Sequence, residues 1–293
     1  MGRDSSPFFY NLKLNKMTLK FKILYLFIIY IILILLPNSL KAQTSNSMNF
    51  QATYRLLYQT TKVEDRLNQE NMLLFISPGF TKFLSVGKHK KDSLLRNKKN
   101  AGSSLSQLLR NLPKTDFDYV IINELNDSKI VYHQKILKDN FSYEESPTFN
   151  WEISKEKKEV SGYSCQKAIT DYGGRKYTAW FASEIPVSSG PYKFGGLPGL
   201  IIEISDTDND YNFKLIELKK LDDSILLDND PNTIKTEKDI FLKILKEYEE
   251  NPLKKMEQAG IKIDFPDNSK KMEMLKEHKE KLQERNPIEL TEK

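Results

Sequence analysis

Residues 173–181, Gly-Gly-Arg-Lys-Tyr-Thr-Ala-Trp-Phe, and residues 190–204, Gly-Pro-Tyr-Lys-Phe-Gly-Gly-Leu-Pro-Gly-Leu-Ile-Ile-Glu-Ile, decide how this chain folds. The Gly173-Gly174 pair separates two strand-like runs, Val160 to Tyr172 and Arg175 to Phe181. Both central positions of such a link can take positive φ, so the segment reads as a β-hairpin. Trp151, Tyr163, Trp180 and Phe181 give the hairpin and its lead-in strand a heavy aromatic load, which marks them as core. Further on, Pro198 presets φ for the second position of a turn and Gly199 offers positive φ for the third, the type II signature, and an apolar strand follows at once. Gly196-Leu197-Pro198-Gly199-Leu200-Ile201 contains no titratable group before Glu203. The motif therefore supplies backbone geometry and burial, and cannot itself transfer a proton.

Working outward, the chain from Phe50 to Leu218 alternates with period two and is rich in Tyr, Phe, Val, Ile and Thr between turn residues. Strands are predicted at Asn49 to Gln59, Met72 to Ser77, Thr81 to Val86, Asp118 to Leu125, Lys129 to Leu137, Glu159 to Asp171, Arg175 to Ala182, Leu200 to Ser205 and Tyr211 to Lys219. Short links make neighbouring strands antiparallel. The expected fold is α+β: a mainly antiparallel, curved, half-barrel-like β-sheet with helices at the C-terminal end. Ser103 to Asn111 is a candidate helix ended by Pro113, and the Lys-rich stretch Lys88 to Lys99 reads as a solvated loop or helix face. After Asp230 the composition changes. Thr236-Glu237-Lys238-Asp239 has the capping-box pattern ahead of an amphipathic helix through Phe241, Leu242, Leu245 and Tyr248, interrupted at Asn251-Pro252. A short piece, Leu253 to Ala259, and a charged helix, Met272 to Arg285, complete a docking face for the sheet, with the Lys293 end frayed.

Charge and length bound the class. The 293 residues hold 45 Lys plus Arg and 40 Asp plus Glu, but the first 42 residues carry six of those basic groups and one acid, leaving the rest balanced. A neutral body has no electrostatic footprint for nucleic acid. Ile23 to Leu36 is an unbroken apolar or tyrosyl run following Lys13, Lys16, Lys20 and Lys22. It reaches only about 21 Å at the helical rise, short of the roughly 30 Å of a bilayer core. Pro37 ends it, and Leu40-Lys41-Ala42 precedes Gln43. The domain expectation is an extension over 1–16 ahead of a start at Met17, a signal peptide over 17–42 cleaved after Ala42, a β-rich domain over 43–230 and a helical extension over 231–293. An uncleaved anchor is the alternative. No cysteine stands at the cut, so lipid attachment there is excluded. The single Cys165 rules out an internal disulfide framework.

Trp151-Glu152-Ile153, Gly162-Tyr163-Ser164-Cys165-Gln166-Lys167-Ala168, Gly174-Arg175, Ala179-Trp180-Phe181, Glu184-Ile185-Pro186-Val187, Gly190-Pro191-Tyr192-Lys193-Phe194 and Gly196 to Ile201 together closely resemble the GLPGLI family. The resemblance is specific over Tyr143 to Ile204 and extends to Asn286-Pro287-Ile288-Glu289. It implies an exported protein of the periplasm or cell envelope of a Gram-negative bacterium and a common fold. It implies no activity and no catalytic residues.

The residues themselves offer little catalytic machinery. A nucleophile needs a base within hydrogen-bond reach and an orienting group. The bases are His89, His133 and His278, and only His133 lies in a predicted strand. A Cys165–His133 pair across neighbouring strands is conceivable, but a lone strand cysteine is ordinarily a small core residue. Asp206-Thr-Asp-Asn-Asp210 places oxygen ligands at alternating positions yet lacks the Gly and distal Glu of an EF-hand, and reads as a polar hairpin turn. No catalytic residue, metal or cofactor is assigned. The leading expectation is a non-enzymatic binding or carrier module for a lipid, peptide or protein partner, membrane-proximal without spanning once processed. The alternatives are a hydrolase with a concealed carboxylate or nucleophile, and an envelope assembly component. Polar ligand anchors, if present, are expected on one rim: Arg175, Glu184 and Lys193, beside Tyr192 and Trp180.

Overall fold

The computed structural model describes residues 49–62, 66–98, 112–127, 129–222, 225, 227, 230–261, 264, 265 and 267–290. The predicted extension, signal segment and cleavage point, and the candidate helix at Ser103 to Asn111, lie outside the described residues. Twelve strands make one sheet: β1 (Asn49–Tyr58), β2 (Asn68–Ser77), β3 (Phe80–Ser85), β4 (Tyr119–Glu124), β5 (Lys129–Ile136), β6 (Asp139–Glu145), β7 (Glu152–Val160), β8 (Tyr163–Tyr172), β9 (Arg175–Ala182), β10 (Leu200–Asp206), β11 (Tyr211–Leu221) and β12 (Ile234–Lys235). Their spatial order is β12-β6-β5-β4-β3-β2-β1-β11-β10-β9-β8-β7. The sheet is open and antiparallel except where β12 runs parallel to β6. Apart from the β1–β11 closure and the β12 addition, each strand pairs with its sequence neighbour, as short links require.

The sheet is curved. β3 and β11 are three strand spacings apart, about 14 Å along a flat sheet, yet the Phe83 and Phe213 rings on its inner face are centred 6.1 Å apart. Tyr54, Tyr177, Tyr211, Phe181, Phe194 and Phe213 are fully buried. From β1 the Tyr54 hydroxyl reaches past β11 to donate to the Ile201 carbonyl of β10 at 2.7 Å.

The strands differ from the sequence reading at β6, β7 and β8. The run at Glu159 to Asp171 is crossed by a turn at Ser161 and Gly162, both at positive φ, so two strands replace one. β7 was hidden because Glu152–Val160 is an edge strand whose side chains are mostly exposed and charged, without alternation. The Lys-rich stretch takes the helical of its two expected forms, α1 (Val86–Lys98), whose first turn is tied by the Lys88 amide donating to Ser85 Oγ at 2.9 Å. β6 carries only Phe141 and Tyr143 as apolar signals and escaped notice.

The C-terminal helices are α2 (Lys238–Glu250), α3 (Pro252–Gln258) and α4 (Asn268–Gln283). Glu237, not Thr236, occupies the α2 cap position, and its side chain makes no capping bond. The Thr236 amide is instead spent on the Ser142 carbonyl, continuing the β12–β6 ladder at 2.9 Å. α2 docks through Phe241, whose ring meets Tyr143 at 5.2 Å and Tyr132 at 5.7 Å. α3 and α4 bury no side chain.

The turn at Pro198-Gly199 is not type II. The Gly199 amide closes a tighter loop onto the Leu197 carbonyl at 2.8 Å, while the Leu200 amide donates to the Ile185 carbonyl at 3.0 Å. Glycine is needed for space as well as for its φ of 156°: a Cβ there would stand 2.3 Å from the Ala182 carbonyl oxygen. Gly199→Ala should therefore cost about 2 to 4 kcal/mol, more than a turn preference alone. Urea unfolding is the measurement, and a loss below about 0.5 kcal/mol would contradict this packing.

Candidate functional site

Strand alternation puts Arg175, Tyr177, Ala179 and Phe181 of β9 on the concave side and Lys176, Thr178 and Trp180 on the other. The two inward polar residues hold a segment far away in sequence. Arg175 Nη2 donates to the Pro287 carbonyl at 2.9 Å and to Asn286 Oδ1 at 2.5 Å. The Tyr177 hydroxyl donates to the Ile288 carbonyl at 3.0 Å, and Tyr211 of β11 donates to the Asn286 carbonyl at 2.7 Å. Three consecutive carbonyls thus each accept from a side chain of the sheet. At the ends, the Asn286 amide donates to the Thr60 carbonyl at 2.7 Å and the Leu290 amide to the Gly173 carbonyl at 2.6 Å. A Cβ on Gly173, φ 56°, would stand 2.9 Å from Glu289 Cγ. The hairpin glycine lets this segment lie against the turn.

Two charge clusters flank the segment. Arg175 Nη1 donates to Asp206 and to Asp210, each at 2.9 Å, and Lys62 reaches Asp210 at 2.5 Å. Burial pushes the Asp206 carboxyl up. Asp210 feels burial too but is held below its ordinary value by hydrogen bonds from Lys62, Arg175 and Asn286. The Asp206, Asp208 and Asp210 carboxylates lie within 4.8 Å of one another. The place between Asp206 and Asp210 is taken by the guanidinium, and the loop is the polar turn its sequence suggested.

The second cluster is a ring of four. Lys193 Nζ, its side chain wholly buried, contacts Glu145 at 2.5 Å and Glu289 at 2.6 Å; Lys238 contacts the same two carboxylates at 2.8 and 3.2 Å. Tyr192 donates to Glu289 at 2.6 Å. Adjacent Tyr192 and Lys193 both face inward because Tyr192 adopts φ 57°, which breaks the extended alternation.

Beside the ring opens a cleft of about 500 Å³. Phe50, Ile76, Pro78, Leu125, Ile130 and Phe149 line it against Pro186, Val187, Ser188, Gly195 and Gly196, with Ser77 and Asn123 as polar groups. The loop forming its second wall is folded on itself by a Ser189–Gly195 bridge and tied by Trp151 Nε1 donating to the Gly195 carbonyl at 2.8 Å. A larger polar hollow of about 810 Å³ contains His133 with Glu124, Glu144 and Glu237.

Of the five residues expected on one rim, Tyr192 and Lys193 meet at Glu289, while Arg175 holds the other end of the same segment; all three are in the interior rather than at an edge. Glu184 is exposed. Trp180 lies on the opposite face under Lys158, 4.2 Å from its ring centre. The odd spacing between 175 and 180 separates them by the pleat. Sequence reading missed Tyr177, Tyr211, Asp206, Asp210, Glu145 and Glu289 as members of these clusters. The one available signal was Asn286 to Glu289 within the family resemblance. Cys165 is buried and unpaired, and burial raises its thiol to about 11. His133 is lowered by burial and by Lys82 and Lys235. Cys165 on β8 and His133 on β5 stand near opposite ends of the strand order.

Burial alone would raise Glu289, but Lys193 and Lys238 outweigh it and bring the carboxyl to about 2 from an ordinary 4.5. A depressed carboxylate stabilises the fold fully above its unfolded value and loses that contribution as pH falls through its folded value. The window is therefore about pH 4.5 down to about 2, and the contribution is on the order of 3 kcal/mol. The stability difference between the unmodified chain and Glu289→Gln, from urea midpoints, should shrink across that window. A difference independent of pH would contradict it.

A family model described as a protein of unknown function, Porph_ging, matches residues 173–203. These are the hairpin turn, β9, the cleft loop and the start of β10. No curated protein matches. Among solved structures, PNGF-II in its P21 crystal form is 13% identical with a TM-score of 0.50, over 69% of this chain and 34% of that one. In its C2 form the values are 14%, 0.49, 69% and 33%. The chain spans about a third of the length of PNGF-II. At this identity the first likeness is one of fold: this chain is similar to a part of PNGF-II in its β-rich architecture, and to the Porph_ging family over one continuous stretch.

Proposed function

We propose that this protein is a GLPGLI-type envelope protein, exported by its leader, that acts as a non-enzymatic binding module and takes an uncharged apolar ligand in the cleft beside the Pro186–Gly196 loop. The observation that carries this reading is the cleft itself. Its volume falls within the roughly 300 to 1,000 Å³ of small-molecule sites, and its lining is mostly apolar with a few polar groups for orientation. Lys193 is the cation at its wall, and Lys193 and Lys238 are already matched by Glu145 and Glu289. A ligand charge would enter without a counter-charge, and an acyl chain or apolar peptide side chain suits the site better.

The hydrolase alternative has less support. Among the described residues no cysteine or serine is seen bonded to a histidine, and the Cys165 thiol is held protonated at neutral pH by its burial. Export rests on the apolar leader and the family resemblance. Among the described residues, no helix is long and apolar enough to cross a membrane.

The test is titration with N-phenyl-1-naphthylamine, a neutral apolar fluorophore, against the unmodified chain and Val187→Trp, which fills the cleft from its half-exposed wall. Saturable binding weakened at least about tenfold by the substitution, with the melting temperature unchanged, is the expected result. Equal affinity for both proteins would place the binding elsewhere and overturn the reading.

A further inference from the structure

The segment Asn286 to Glu289 lies in a seat that shares Lys193 with the cleft but is otherwise built from different residues, and the inference drawn from it does not rest on the reading given for the cleft. Three features of recognition are present together. First, the main chain is read: the carbonyls of Asn286, Pro287 and Ile288 accept from Tyr211, Arg175 and Tyr177, and the amides of Asn286 and Leu290 donate to Thr60 and Gly173. Second, the side chains are read at two positions. The Asn286 amide group donates to the Gln59 carbonyl at 2.7 Å and accepts from Arg175, and the Glu289 carboxylate is bound by Lys193, Tyr192 and Tyr172. Third, an aliphatic position is enclosed, since Ile288 is 9% exposed. Pro287 has no amide hydrogen to satisfy and presets an extended conformation.

The donors lie on β8, β9, β11 and the β9–β10 loop and do not depend on the occupant's connection to the rest of the chain. Arg175 is fixed by Asp206 and Asp210, and Lys193 by Glu145, before any segment arrives. The occupant reaches the groove through α3 and α4, which bury no side chain, so the fold invests little apolar burial in keeping this strap down.

We propose that the groove between β9, β11 and Lys193 recognises an extended Asn-Pro-aliphatic-Glu segment of a partner protein, and that residues 286–289 are its resident intramolecular occupant. A tethered occupant acts at an effective concentration near millimolar, so a partner must compete with it or meet a chain whose strap is loosened.

The probe is a fluorescein-labelled peptide of residues 284–290, Glu-Arg-Asn-Pro-Ile-Glu-Leu, with the reversed peptide as control. The proteins are the full chain and the full chain carrying Asn286→Ala with Glu289→Gln, which weakens the resident segment and leaves every sheet donor intact. By fluorescence anisotropy, the double variant should bind the peptide at least about tenfold more tightly than the unmodified chain and should not bind the reversed sequence. Absence of binding by a folded double variant overturns the proposal, as does equal binding of both peptides. If the double variant lacks a cooperative melt, the unmodified chain with several millimolar unlabelled peptide decides: faster hydrogen exchange of its own residues 284–290 supports the groove, and unchanged exchange overturns it. Concentration-dependent dimers with exchanged segments would assign the groove to a second copy and overturn the partner assignment.

Discussion

Arg175 is the side chain on which the interior is organised. Its side chain is 3% exposed, and the guanidinium spans two buried aspartates on one side and two consecutive residues of the C-terminal segment on the other. An arginine in that position cannot shed its charge and cannot leave its hydrogen bonds unmade without a cost of several kcal/mol. The planar fork therefore fixes three things at once: the β10–β11 turn through Asp206 and Asp210, the β8–β9 hairpin that carries it, and the course of residues 286–287. Removing one partner strands the others in a low-dielectric site.

The concave face is built from tyrosines for a related reason. A curved sheet whose inner side is only aliphatic presents no partner to a backbone laid across it, and an extended segment buries its amides and carbonyls. Tyr177 and Tyr211 give apolar faces to the core and hydroxyls to that backbone. At the other end of the segment, the alternating ring of Lys193, Glu145, Lys238 and Glu289 places opposite charges at every step. The sheet and its β9–β10 loop contribute one charge of each sign, Glu145 on β6 and Lys193 in the loop, and the C-terminal region the other two. Neither side alone carries net charge from these groups, which permits burial of both and leaves the neighbouring cleft neutral.

Much of the architecture could be read before the structure. The Gly173-Gly174 hairpin, the alternation of β1, β3, β4, β5, β9, β10 and β11, and the helical C-terminal region all follow local rules of period and turn chemistry. β7 could not be read that way, because a charged edge strand has no apolar face to alternate. Nor could the two ends of the site. Lys193 was singled out for its charge beside Tyr192, but its burial depends on Glu289, which lies 96 positions later in the chain. Asp206 and Asp210 read as a polar hairpin turn, and their burial against Arg175 was not legible because that counter-ion sits on another strand. Long-range polar pairing leaves no period in a sequence. The family resemblance extended to the Asn286 to Glu289 stretch but carried no expectation that the chain returns to its own hairpin.

The central claim, that residues 286–290 are part of the interior rather than a trailing end, is tested most directly by hydrogen–deuterium exchange on the full chain. The account predicts that the amides of Asn286 and Leu290, donated to Thr60 and Gly173, exchange as slowly as those of β9, while α4 exchanges faster. Exchange of residues 284–290 at the rate of an unstructured peptide, with β9 and β10 still protected, would contradict it.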